Sequence, residues 1–179
     1  MSKASRLLTA FLLSLLLAAP LRAADQVILV RHAEKRVDAG ADPALSPAGE
    51  ARAAALAEAL SGAGVSAILI TPFRRTRDTA APLAARLGIE PVVVGVEGGL
   101  DAHAAAVAKA AREVPGVVLV VGHSNTVPAI IGALGGPALP DLCESSYAHA
   151  FVLSEADGAP RLQRWRYGAP HPEPDAECL

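Results

Sequence analysis

The chain reads as an α/β protein of three layers, α/β/α, with a mostly parallel central sheet. Three observations predict this. Short β-branched runs alternate with alanine-rich segments of helical length, the pattern of parallel strands joined by crossover helices. Serine, proline and glycine sit at the joints, at cap and turn positions. Three apolar runs (27–30, 67–70 and 117–121) are each followed closely by cationic or imidazole residues. Ligands of parallel sheets bind past the carboxyl ends of strands, so three such endings point to one pocket.

The 179 residues suit one domain with a sizeable core. Residues 1–23 have the composition of a secretory signal. Lys3 and Arg6 precede an apolar stretch over 7–17, broken by Thr9 and Ser14, and Pro20 and small residues follow. The stretch is short for a membrane span, and a retained anchor is the alternative. The cleavage point is ambiguous: cutting after Ala23 puts Leu21 at the −3 position, and cutting after Ala24 puts Arg22 there. No cysteine lies nearby to carry a lipid. Loss of Lys3, Arg6 and Arg22 with this segment takes the formal net charge from −2 to −5. That is no nucleic-acid footprint, so an anion site would be a local positive island. No membrane span is expected after processing, and oligomeric state is not legible.

Residues 24–167 form the expected domain. The run 27–30 is a buried strand. A loop with Asp38, Gly40, Asp42 and Pro43 leads to a helix capped by Ser46, with Pro47 in its first turn, running to about Leu60. The strand 67–70 follows. A helix over about 73–87 ends at Gly88, and Pro82 inside it predicts a kink or a late start. A strand over 91–96 leads into Glu97-Gly98-Gly99, a loop signal. Asp101 is expected to cap a helix to about Val114. Pro115-Gly116 turns into the strand 117–121, and a short helix over about 126–134 ends at Gly135-Gly136-Pro137. Residues 147–153 and 161–167 read as a hairpin across 155–158. The Pro-rich, acidic tail, 168–179, is expected to be poorly ordered. Cys143 and Cys178 could pair in an oxidising compartment and pin this tail, or stand as two free thiols.

Chemistry concentrates at the strand ends. Arg31-His32-Ala33-Glu34 pairs a planar guanidinium fork with an imidazole; the fork can hold two phosphoryl oxygens while the ring nitrogen attacks phosphorus. An ordinary polar turn is the bland alternative. Thr71-Pro72-Phe73-Arg74-Arg75-Thr76 and Gly122-His123-Ser124-Asn125-Thr126 follow the second and third runs. These motifs, in this order, resemble the histidine phosphatase superfamily, which includes the cofactor-dependent phosphoglycerate mutases. Arg31-His32-Ala33 matches its Arg-His-Gly opening, 71–76 its Ser-Pro-Leu-x-Arg-Ala, Gly122-His123 its Gly-His, and Leu45-Ser46-Pro47-Ala48-Gly49 its Leu-Thr-x-x-Gly helix start. The resemblance covers residues 26–167 and suggests a small, exported branch.

The resemblance implies a phosphoglycerate mutase-like fold and a metal-independent phosphomonoesterase working through phospho-His32. It implies that His123 binds the phosphoryl group, that Arg31 and Arg75 clamp its oxygens, and that no metal or other cofactor takes part. Arg74 and Arg77 read as solvated or paired with Asp78. The proton donor is open: Glu97 sits nearest the family's acidic position, with Asp101, Glu34 or no protein acid as rivals. Another branch places Asp after the second histidine; Ser124 stands there. His103, His149 and His171 read as surface or structural. The 48 positions between Arg75 and His123 leave no room for a large helical cap, which suggests an open pocket for a bulky phosphate ester, for example a phosphorylated envelope sugar. The rivals are a mutase, a phosphohistidine protein phosphatase, and a non-catalytic binder of phosphorylated glycans.

Overall fold

A computed structural model describes residues 24–37, 40–156, 158–170 and 178–179. The expected signal segment and residues 171–177 of the tail lie outside them. Six strands form one sheet in the order β3-β2-β4-β1-β5-β6. In chain order these are β1 (Ala24–Arg31), β2 (Val65–Ile70), β3 (Val92–Val93), β4 (Gly116–Gly122), β5 (His149–Ala156) and β6 (Ala159–Arg166). Strands β1 to β4 pair in parallel; the β5–β6 hairpin adds antiparallel to β1.

The helices are α1 (Pro47–Ala59), α2 (Arg74–Leu87), α3 (Gly99–Arg112) and α4 (Thr126–Ala133). Strand side chains alternate between faces, so each central strand needs apolar residues at every position. Ile28, Val30, Ile68, Ile70, Leu119 and Val121 meet Leu56 and Leu60 of α1 and its flank and Leu83 of α2. Val27, Leu29, Leu69, Val118 and Val120 meet Val107 of α3 and Val127, Ile130 and Ile131 of α4. The three-layer α/β/α architecture expected from the sequence is therefore present, built on two buried faces of one sheet.

Local chemistry sets the joints. Ser46 caps α1 by accepting from the Gly49 amide at 3.2 Å, with Pro47 at the first helical position. Gly49 is required by contact, because a Cβ there would collide with the Glu34 carbonyl. The Ser46 amide donates to that same carbonyl at 2.8 Å, and Leu45 bridges to Lys35. The helix start is thus tied to the loop that leaves β1.

Three expectations change. Helix α2 runs continuously through Pro82 from Arg74, so the proline neither delays nor ends it. Strand β3 spans two residues rather than six: after Val94 donates to Ile70 at 2.8 Å, the chain leaves the sheet edge. Helix α3 starts at Gly99 behind Gly98, which holds a left-handed conformation, so Asp101 lies inside the first turn instead of capping it. At the other end of the chain, Cys143 and Cys178 form a disulfide with Cα atoms 5.0 Å apart. Leu179 donates to the Asp141 carbonyl and accepts from the Cys143 amide. Among the described residues no helix is long and apolar enough to cross a membrane.

One buried ion pair joins three parts of the fold. Arg52 of α1 bonds both Glu34 oxygens, at 2.7 and 2.9 Å, and also donates to the Tyr167 and Ala169 carbonyls. Burial alone would raise the Glu34 pKa, but the Arg52 hydrogen bonds, a backbone hydrogen bond and the charges of Arg52 and Arg31 together hold it below the usual value. Arg52→Met should therefore cost about 2–3 kcal/mol, by stranding a half-buried carboxylate and two carbonyls. Urea unfolding measures this; a loss within 0.5 kcal/mol, taken as about the error of a surface substitution, would show that the pair is not structural.

Candidate active site

Strands β1 and β4 lie side by side, and their continuations run in opposite directions along the sheet. The chain leaves β1 toward β2 on one side and leaves β4 toward β5 on the other. The carboxyl ends of β1 and β4 therefore border the crevice where an open α/β sheet binds ligands. The His32 amide donates to the Gly122 carbonyl at 2.9 Å, which fixes the two histidine segments against each other. Gly122 is needed here, because a Cβ would lie 2.7 Å from Thr126 Oγ1. Its absence lets the first turn of α4 fold over the strand end, where Thr126 Oγ1 accepts from the His123 amide at 2.8 Å.

Arg31 is buried, with 2% of its surface exposed. Its Nη1 donates to the carbonyls of Cys143 and Glu144 at 2.7 and 3.1 Å, and its Nη2 meets the Glu144 carboxylate at 2.8 Å. The guanidinium also stacks over Tyr147, 4.3 Å from the ring centre. Its buried Nε has no hydrogen-bond partner among the described residues. The fork is thus held from behind by the 143–146 loop and keeps a donor in reserve.

The two imidazoles meet edge to face, with centroids 5.3 Å apart. His32 Nδ1 lies 2.8 Å from the Ala33 carbonyl, which can only accept, so Nδ1 carries the hydrogen. The lone pair is left on Nε2. His123 Nδ1 accepts from Arg75 Nη2 at 3.3 Å, and its Nε2 donates to Thr71 Oγ1 at 3.0 Å. Thr71 in turn bonds Thr76 Oγ1 at 2.9 Å, which reaches the Phe73 carbonyl at 2.8 Å. Burial, and then the charge of nearby arginines, lowers both histidines to about 3; the Ala33 carbonyl opposes this for His32. Both rings are therefore neutral at ordinary pH, as a nucleophilic imidazole requires.

Arg75 reaches the site from the first turn of α2, its guanidinium 4.3 Å over the Phe73 ring and 3.9 Å from Asp42. Arg74 instead pairs with Asp78 at 3.2 Å, and Arg77 is exposed.

A cavity of about 420 Å³ opens over these groups. Arg31, His32, Arg75 and His123 all line it, together with Ser124, Asn125 and Thr126 at the start of α4. The positive end of that helix adds to an anion site. Glu97 does not line it. Its side chain is exposed and its carboxylate lies against Gly95, while Val96, Gly99 and Leu100 form the rim. The rivals are outside as well: Asp101 is exposed on α3, and Glu34 is held by Arg52. Among the described residues no cluster of three His, Cys, Asp or Glu could hold a metal ion.

Sequence reasoning missed three lining residues: Lys35, His103 and Glu144. Lys35 follows the first motif by three positions, which was a usable signal. His103, expected at the surface or in a structural role, is buried against the cavity with Nδ1 2.7 Å from the Gly95 carbonyl. Glu144 arrives through a contact 113 positions away from Arg31, for which the sequence carries no local mark.

A family description, histidine phosphatase superfamily (branch 1), matches residues 27–97. No curated protein matches the chain. Solved structures do. A mycobacterial glucosyl-3-phosphoglycerate phosphatase is 20% identical over 81% of this chain and 100% of its own, with a TM-score of 0.60. The protein histidine phosphatase SixA complexed with tungstate is 19% identical over 79% and 96%, with a TM-score of 0.61. A proposed phosphohistidine phosphatase SixA from Agrobacterium tumefaciens is 26% identical over 82% and 99%, with a TM-score of 0.58. The fold is that of the histidine phosphatases, and the match over the first two motifs supports a phosphatase enzyme.

Two outcomes follow from this geometry. Arg31→Lys keeps a charge but loses the fork that meets the 143–146 loop and the spare Nε donor, so kcat/KM for a phosphate ester should fall on the order of 100-fold; steady-state kinetics reads this directly. The second concerns stability. Both histidines fall from 6.5 unfolded to about 3 folded, so the unfolded chain takes up protons first. Their contribution is complete above pH 6.5 and declines as pH falls toward 3. Thermal unfolding should show a lower Tm at pH 5 than at pH 7, and His123→Asn should flatten that difference.

Proposed function

We propose that the chain is an exported phosphomonoesterase that works without a metal, through a phosphohistidine on His32. The observation that carries this is the commitment of His32 Nδ1 to the Ala33 carbonyl. It leaves Nε2 as a neutral nucleophile beside His123, in a cavity lined by Arg31 and Arg75. The phosphoryl oxygens would take N–H groups from Arg75, from the spare Arg31 Nε and from the start of α4. Arriving negative charge favours a proton on His123 Nδ1, which then donates to a phosphoryl oxygen as charge spreads in transfer. His32 Nε2 bonds to phosphorus as the ester oxygen leaves; water then attacks the phosphohistidine and frees phosphate.

Two features support export: the signal-like composition of residues 1–23, and the Cys143–Cys178 disulfide, a bond that persists in oxidising compartments. Both features are in keeping with a periplasmic or extracellular protein. The substrate class is a phosphate ester with a bulky alcohol, such as a phosphorylated envelope sugar, in keeping with a cavity that no capping domain closes. A second reading, a phosphohistidine protein phosphatase, draws support from the SixA neighbours.

The purified protein should hydrolyse an aryl phosphate at a rate unaffected by chelator. His32→Ala should lower that rate by at least about 10³-fold, as expected when a covalent nucleophile is removed. Brief reaction and acid quench should trap an acid-labile, base-stable phosphoryl adduct that the variant lacks. Binding of phosphate esters without turnover or adduct would identify a non-catalytic binder instead.

A further inference from the structure

A phosphoryl transfer to His32 needs a proton for the departing ester oxygen when that oxygen belongs to an alcohol. The carboxylates expected to give it are elsewhere: Glu97 and Asp101 do not line the cavity, and Glu34 is bound by Arg52. Glu144 does border the cavity, but its carboxylate accepts from Arg31 and Ser124, so it stands as an acceptor. Lys35 borders the mouth and is exposed.

His103 remains. It projects from the second turn of α3 and is 3% exposed. It lines the cavity beside Val96, Gly99 and Leu100. Its Nδ1 donates to the Gly95 carbonyl at 2.7 Å, which settles the tautomer, since a carbonyl can only accept. Its Nε2 is buried and has no hydrogen-bond partner among the described residues. A buried polar nitrogen is costly to leave unpaired, and such an atom at the wall of a catalytic cavity is accounted for by a ligand that completes it. The Gly95 bond also holds the ring by the loop that forms the rim, so Nε2 is fixed in place.

We infer that His103 is the proton carrier of the reaction: its Nε2 protonates the leaving alcohol. This rests on the phosphatase reading above. In the first step the His32 Nε2–phosphorus bond forms and the phosphorus–oxygen ester bond breaks; the electron pair stays on the departing oxygen, which takes the proton from His103 Nε2. In the second step His103 Nε2, now with a free lone pair, accepts a proton from the attacking water. The water oxygen bonds to phosphorus, the His32–phosphorus bond breaks, and both histidines return to their starting states. The cycle starts with His103 carrying on Nε2 the proton that it gives up in the first step.

The variant that separates this role from a structural one is His103→Asn. The Asn amide can replace Nδ1–H on the Gly95 carbonyl, and nothing replaces Nε2. The measurement is kcat/KM, which reports the first transfer, for p-nitrophenyl phosphate and for a simple alkyl phosphate. Nitrophenolate leaves without a proton, so that substrate should lose less than about threefold in the variant. The alkyl ester should lose on the order of 100-fold, the usual contribution of a general acid. Equal losses for both esters, or no loss for either, would overturn the proposal, the first by showing a packing role and the second no role. Turnover of nitrophenyl phosphate by the wild type, abolished in His32→Ala, checks the underlying reading in the same assay; its absence would sink that reading rather than leave the role of His103 in question.

Discussion

The buried guanidinium of Arg31 organises this molecule. A charge at the end of a central strand, almost without solvent, is tolerable when donors are matched by acceptors. Here the match comes from the far end of the chain: the Cys143 and Glu144 carbonyls and the Glu144 carboxylate. These groups sit on a loop without regular structure, which would be a poor anchor by itself. The loop is stiffened by the Cys143–Cys178 disulfide and by the two hydrogen bonds that Leu179 makes with Asp141 and Cys143. The cross-link closes 35 positions, enough to remove roughly 3–4 kcal/mol of unfolded-chain entropy in the simple loop model. The C-terminus thus steadies an arginine at residue 31 and, through it, the wall of the cavity.

The same crowding sets the protonation of the site. Cations at Arg31 and Arg75, together with burial, hold His32 and His123 neutral. The positive charge of the pocket is therefore carried by guanidinium groups, which stay protonated, and the imidazoles are free to act as a nucleophile and a hydrogen-bond partner. A chain that is acidic overall can hold an anion on these terms, because the field inside a low-dielectric cleft is set by the groups lining it and not by the net charge.

Much of this was legible in the sequence, and the reasons are local. β1, β2 and β4 are continuous apolar runs because both faces are buried, and such runs stand out. Ser46, Pro47 and Gly88 mark helix ends by chemistry that acts within a turn. His32, His123 and Arg31 follow once the strand ends are known to share an edge, and the family resemblance selects Arg75 over Arg74 and Arg77. The segment between β3 and α3 behaves differently. β3 lies at the sheet edge and pairs at two residues, so no periodicity announces where it stops. α3 then begins with Gly98 in a left-handed conformation and no side-chain cap, two residues before Asp101. That shift decides which side chains of the segment face the cavity: Val96, Leu100 and His103 do, and Glu97 does not. A lone histidine among alanines on a helix looks like packing until the loop in front of it is placed.

The arrangement of carboxylates bears on the role proposed for His103. Among the described residues, three carboxylates around the cavity are each engaged by an arginine or a backbone amide. Glu34 is gripped by Arg52, Glu144 by Arg31, and Asp42 by the Arg74 amide at 2.9 Å with Arg75 nearby. Each arginine needs its partner to be tolerated where it is, and protonating that partner for acid catalysis would weaken the pair. His103 is in no such pair: its Nδ1 donates to the Gly95 carbonyl. On the role proposed for it, the imidazole would give up and regain a proton without breaking any of these ion pairs.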